Sequence, residues 1–138
     1  MSNDAVVSLL QRIPIFARLN PLQIAEIAQQ AEKVKFRSRE CITEAGASGD
    51  AAYLLVSGTA ERLAAPEQPL PPGSLIGELA MLVEHNYGAT IVAKGRVHCL
   101  KITRSALHDQ MLVDPSLAEL LSQHISERLL RAANGLMR

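Results

Sequence analysis

Apolar residues recur along this chain at two different spacings, and the change between them divides it into three stretches. Val6, Val7, Leu10 and Ile13 stand at helical intervals, with Asp4 placed to cap them and Pro14 to end the run. In "LNPLQIAEIAQQAEKV", Asn20 predicts an N-cap, Pro21 suits the first helical position, and Gln23 sits where a capping-box partner belongs. Leu22, Ile27, Ala28 and Ala31 mark one apolar face, so a helix is predicted over about 21–31. From Lys33 the period shortens. Apolar runs at 33–37, 40–44, 51–56, 58–63, 88–94 and 96–102 predict strands. Ser57-Gly58 and Lys94-Gly95 predict tight turns between pairs of them. Pro66, Pro69, Pro71 and Pro72 cannot donate to a ladder, so 64–74 reads as a connecting loop or an edge.

Helical spacing returns after Ile102. Ser105 to Met111 predicts a short helix, and Asp114-Pro115 a cap followed by a proline at the first helical position. Leu117, Leu121, Ile125 and Leu129 follow at steps of four, widened by Leu120 and Leu130, and Asn134-Gly135 reads as a stop. The pattern predicts one α+β domain over 1–138: helices over 4–31, a β body over 33–102 shaped as a sandwich or barrel, and helices over 104–134.

Composition narrows the partners. Fourteen basic residues balance fourteen acidic ones, where a nucleic-acid-binding domain carries a basic excess. Direct nucleic-acid binding is therefore not expected. No apolar run approaches the ~20 residues of a membrane helix, and "MSNDAVVSLLQRIPIF" lacks the basic start of a signal peptide. Cys41 and Cys99 lie far apart without metal or redox spacing, and both read as reduced core residues of a cytoplasmic protein. His85, His98, His108 and His124 show no metal spacing, and HExxH, GxSxG and a phosphate loop with Gly-Lys-Ser/Thr are all missing. The chain does not read as an enzyme, and no cofactor is called for.

Three stretches carry a resemblance. "LLQRIPIFARLNPLQIAEIA", "EAGASGDAAYLLVSGTAE" and "IGELAMLVEHNYGAT" are similar, in this order, to the opening helices, the strand–turn–strand core and the phosphate-binding cassette of the cyclic nucleotide-binding domains. Those are the β-roll modules of catabolite activator protein and of the protein kinase A regulatory subunits. The resemblance spans about residues 5–132 and implies an eight-stranded antiparallel, jelly-roll-like β-roll with helices before and after it. It also implies cAMP or cGMP as the ligand, a site at 75–90, and a role in signal transduction. In the family the helix after the roll forms a dimer interface in the activator branch, so a homodimer through the C-terminal helix and a regulatory partner protein are expected. The helix after the roll ends near Gly135 without a winged-helix segment, so, if the chain is full length, a transcription factor of that branch is not expected.

The resemblance assigns chemistry to seven residues. Gly77 lets the backbone approach the cyclic phosphate, and the amides opening the short helix after it donate to that anion. Glu78 accepts the ribose 2′-hydroxyl, while Leu79 and Ala80, with Leu82, pack the helix on the roll. Where the family pattern places Pro-Arg, this chain has Tyr87-Gly88, so a glycine stands in place of the phosphate-pairing arginine. A planar guanidinium gives two parallel bonds to phosphate oxygens; glycine offers only its amide, joined by the Ala89 amide and the Thr90 hydroxyl. Tyr87 is expected to close the loop and His85 to be an exposed loop histidine, while Lys94 and Arg96 flank a solvated turn. Ser122, His124, Ser126 and Arg128 are expected on a solvated helix face, with no spacing that selects a base contact. The alternative implied by the lost arginine is a decayed cassette on a roll that works as a protein-interaction or dimerisation module.

Overall fold

Two helices open the chain, α1 (Asn3–Gln11) and α2 (Pro21–Gln30), in a computed structural model that describes residues 3–136, with side chains from 4 to 131. α2 begins as its sequence dictates. The Asn20 side chain accepts from the Gln23 amide at 2.9 Å, and the Gln23 side chain accepts from the Asn20 amide at 3.1 Å. α1 ends two residues before the predicted Ile13, and Asp4 lies within its first turn rather than ahead of it. Ile24 and Ile27 are buried, whereas Leu22 is 69% exposed and does not join the apolar face assigned to it. Gln23 takes an inner position instead, because its amide donates to Asp114 Oδ2 at 2.9 Å.

Eight strands follow among the described residues: β1 (Glu32–Phe36), β2 (Cys41–Thr43), β3 (Ser48–Gly49), β4 (Ala51–Arg62), β5 (Ala65–Leu70), β6 (Leu75–Ile76), β7 (His85–Asn86) and β8 (Ile91–Thr103). All pairings are antiparallel, in the order β1-β8-β4-β5, with β2 also on β8, β6 also on β4, and β3 pairing β7. A five-residue helix α3 (Glu78–Leu82) interrupts the strands, and α4 (Arg104–Val113) and α5 (Pro115–Leu136) close the chain. The architecture is the α+β roll with flanking helices.

The two glycine turns are not turns. β4 runs unbroken through Ser57-Gly58 and β8 through Lys94-Gly95, and the register slips there, between Leu55 and Ser57 and between Ser57 and Thr59. Gly58, at φ +89°, sits in a bulge that bends the ladder into a roll. A Cβ at residue 58 would lie 2.3 Å from the Arg96 carbonyl oxygen, so the strand crossing requires glycine there. The proline-rich segment supplies the edge strand β5, consistent with the missing donors. α5 continues through Asn134-Gly135 to Leu136, past the predicted stop. An Asn-Gly pair ends a helix only where its backbone turns left-handed; within a helix, glycine costs about 1 kcal/mol relative to alanine.

Adjacent residues of β4 feed opposite sides of the sheet. Leu54 joins Leu10, Phe16, Ile24, Met81, Leu107 and Leu121 in a core between the sheet and the helices. Leu55 joins Ile42, Ala60, Ile76, Val97 and Cys99 in a core within the roll. The period of two accounts for this split. It also turns Cys41 outward at the start of β2 while Ile42 points in, so only Cys99 of the two cysteines is a core residue. Burial pushes the Cys99 thiol up to about 12.

Candidate functional site: the cassette and the helix that meets it

The stretch 75–90 folds as β6, a glycine, α3, β7 and a short loop. Gly77 is left-handed at φ +76° and caps α3. A Cβ there would lie 2.7 Å from Tyr87 Cε1, so the conformation and the contact both select glycine. Five residues do not sustain a helix alone. α3 is held by Ala80, Met81 and Leu82, all buried, and by Arg104 at the start of α4. One guanidinium nitrogen, Arg104 Nη1, donates to the carbonyls of Val83 at 2.9 Å and of Gly49 and Ala80 at 3.2 Å. It thereby caps the C-terminal end of α3 and ties it to β3. His108 Nε2 adds a contact to the Leu82 carbonyl at 3.0 Å.

The loop after β7 is stitched to the segment around β2 and β3. The Gly46 amide donates to Tyr87 O (2.8 Å) and the Tyr87 amide to Ala47 O (3.0 Å). Thr43 Oγ1 donates to Ala89 O, and Thr90 Oγ1 accepts from the Ala45 amide, each at 3.0 Å. Tyr87 closes the loop: its ring covers Gly77 and its hydroxyl donates to Ala51 O at 2.8 Å. Burial is the first cause that pushes its phenol above the ordinary value. His85, Lys94 and Arg96 are exposed, and His85 lies in β7 rather than in a loop.

Two openings adjoin at Tyr87. One, of about 210 Å³, is lined by Gly77, Gly88 and Ala89 together with Thr43, Leu70 and Arg62. The other, of about 260 Å³, is lined by Glu78, Leu79, Ala80, His85 and Arg128, and shares Gly77 and Gly88 with the first. Six of the seven predicted site residues therefore meet at one place. Thr90 lines neither opening, and its oxygen already serves Ala45. Gly88 is exposed and has nothing within 4 Å of a Cβ built on it, so a Cβ meets no clash there.

The terminal helix reaches this site, which its sequence did not announce. Glu78 Oε1 lies 3.1 Å from His124 Nε2 and 3.4 Å from Arg128 Nε. The Arg128 contact is an ion pair without hydrogen-bond geometry, since Nε is buried and finds no hydrogen-bond acceptor. Ser122 and Ser126 are exposed as expected, but His124 and Arg128 are half-buried. Their spacing of four puts both on one helix face, and that was the signal available. Arg104 and Arg62 had none, because each acquires its neighbours from elements distant in sequence.

Comparison with known proteins follows the same lines. The family model for the cyclic nucleotide-binding domain matches residues 33–114. The cAMP-dependent protein kinase regulatory subunit of Aspergillus fumigatus is 35% identical over 101 residues, covering 70% of this chain and 24% of the subunit. That of Blastocladiella emersonii is 30% identical over 106 residues, covering 72% and 26%. The chain thus spans about a quarter of the length of the curated relatives it matches. Among solved structures, the N-terminal domain of a transcriptional regulator from Streptomyces coelicolor superposes with a TM-score of 0.80 at 27% identity, covering 94% of this chain and 95% of that one. A cAMP-bound mutant of the regulatory subunit of a cAMP-independent protein kinase A from Trypanosoma brucei shares the fold, at a TM-score of 0.69 and 22% identity, over 78% of this chain and 41% of that one. With the roll, the cassette and the family match in agreement, the chain belongs to the cyclic nucleotide-binding domain family.

Proposed function

We propose that this chain is a regulatory sensor domain that binds cAMP or cGMP at 75–90. One observation carries the reading: Gly77, Glu78, Leu79, Ala80, Gly88 and Ala89 surround two adjoining openings. Together these openings reach the low end of the ~300–1,000 Å³ usual for small-molecule sites. In this reading the amides of Gly88 and Ala89 and those following Gly77 donate to the cyclic phosphate, Glu78 accepts from the ribose hydroxyl, and Thr90 braces the loop. Residues 1–138 act as one domain, in the cytoplasm, on a regulatory partner protein, without catalysis and without contacting nucleic acid. Among the described residues no helix is long and apolar enough to cross a membrane. Leu129 and Leu130 of α5, 48% and 63% exposed, are where a second copy packs in this reading.

Thermal shift and calorimetry with cAMP, cGMP and cyclic di-GMP test it. Stabilisation follows RT ln(1 + [L]/Kd), about 2.7 kcal/mol at one hundred times Kd. No shift with any of the three overturns the reading. Gly88→Arg is the second arm. A Cβ at residue 88 meets nothing within 4 Å, and a charge-assisted contact of about 1.5–3 kcal/mol strengthens binding roughly ten-fold or more. Binding left unchanged by Gly88→Arg overturns the placement of the phosphate.

Two observations favour a second reading, an interaction module with a closed cassette. Glu78 Oε1 is already held by His124 and Arg128, and the Tyr87 ring covers Gly77. The same titrations separate the two readings.

A further inference from the structure

Of the two openings that share Gly88, the one of about 210 Å³ contains one charged side chain, and the cassette does not supply it. Arg62, the last residue of β4, lines that opening with Gly77, Gly88 and Ala89; every other residue lining it is uncharged. In the ladder Arg62 stands opposite Ile91, and Ala60, two residues earlier, stands opposite Ala93. Side chains at these four positions share one face of the sheet. Ala60, Ile91 and Ala93 are buried within the roll. Arg62 therefore continues the inner wall out to the rim, where it is exposed.

Its charge is not spent elsewhere. Glu61, the neighbouring carboxylate, is paired with Arg39 at 2.7 Å. Arg62 has no ion pair and no side-chain hydrogen bond among the described residues. A cation that gives up part of its water to line a cavity of uncharged groups gains from an anion placed there.

We propose that Arg62 is the counter-charge for the phosphate of the bound nucleotide, supplying from β4 the guanidinium that residue 88, a glycine, cannot. The proposal rests on the cyclic-nucleotide reading above. Its chemistry is that of a planar fork with parallel donors matching two phosphate oxygens. It explains how an anion is accommodated in this chain without the cassette arginine.

Calorimetry on the full chain tests it, with cAMP and with adenosine, which keeps the base and sugar and lacks the phosphate. Arg62→Gln is expected to weaken cAMP about ten-fold or more, leave adenosine unchanged, and flatten the salt dependence of cAMP binding. Arg62→Lys keeps the charge without the fork and falls between. Adding Gly88→Arg to Arg62→Gln restores cAMP binding from the other wall. Because Arg62 is exposed, its variants should melt with the wild type, and a melting curve checks this. If the wild type binds cAMP and Arg62→Gln binds it equally, or if adenosine weakens in step with cAMP, the role of Arg62 is overturned and the nucleotide reading stands. If the wild type binds cGMP and not cAMP, the same variants are read with cGMP and guanosine; if it binds neither nucleotide, both are overturned.

Discussion

Arg104→Met removes a guanidinium and keeps most of the side-chain volume. Three carbonyls lose a donor: Val83 at 2.9 Å, and Gly49 and Ala80 at 3.2 Å. Hydrogen bonds to a charged group contribute about 1.5–3 kcal/mol, and the two longer contacts are weaker than the first. Arg104 is half-buried, so water recovers part of the loss. The net destabilisation is then about 3 kcal/mol. For 138 residues, at about 2.1 cal/mol/K each, the unfolding entropy is roughly 0.3 kcal/mol/K, so Tm falls by about 10 °C. Circular dichroism melting and urea titration measure this. Hydrogen exchange localises it: the Val83 amide, which donates to Leu79 O at 2.8 Å, exchanges faster than wild type well below Tm. A Tm loss under about 3 °C, or no change in α3 exchange, refutes the idea that Arg104 holds the cassette helix.

Gly58→Ala should destabilise by more than the ~1–2 kcal/mol of a left-handed alanine, because its Cβ meets the Arg96 carbonyl at 2.3 Å. Gly95→Ala, at a similar φ with open space around it, should cost only the backbone term; equal denaturation midpoints for the two variants would defeat the steric argument. The Gln23 amide, then the Leu117 amide, holds the Asp114 carboxyl below its ordinary value. A depressed carboxylate stabilises the fold above its unfolded value and ceases to as pH falls through the folded one. Asp114→Asn should therefore melt below wild type at pH 7, with the gap closing below about pH 4; a gap independent of pH would rule out the charge as its source. Iodoacetamide followed by mass spectrometry should label Cys41 in the native protein and Cys99, buried and with its thiol pushed up to about 12, only after unfolding.

What could be read from the chain was local. Asn20, Pro21 and Gln23 act within one helical turn, and their capping box formed as written. The Gly77-Glu78 start of α3 is likewise a matter of neighbouring residues. Ser57-Gly58 and Lys94-Gly95 were misread because a positive-φ glycine serves a hairpin and a bulge equally. Only the pairing of Ser57 with His98 and of Thr59 with Lys94, across the whole roll, decides between them. Leu22 was assigned inward by its period, but α2 turns its Gln23 flank to Asp114. The site divides in the same way. Its cassette was legible, whereas Arg62 and Arg104 gain their roles from elements distant in sequence, and His124 meets Glu78 across 46 positions.

That last contact has a thermodynamic corollary. Glu78 Oε1 is shared between the first turn of α3 and the middle of α5, so its occupancy is coupled to the seating of α5. Any guest that claims Glu78 Oε1 loosens the terminal helix by the factor by which the seated helix weakens the guest. An event at the cassette therefore meets α5 directly at His124 and Arg128.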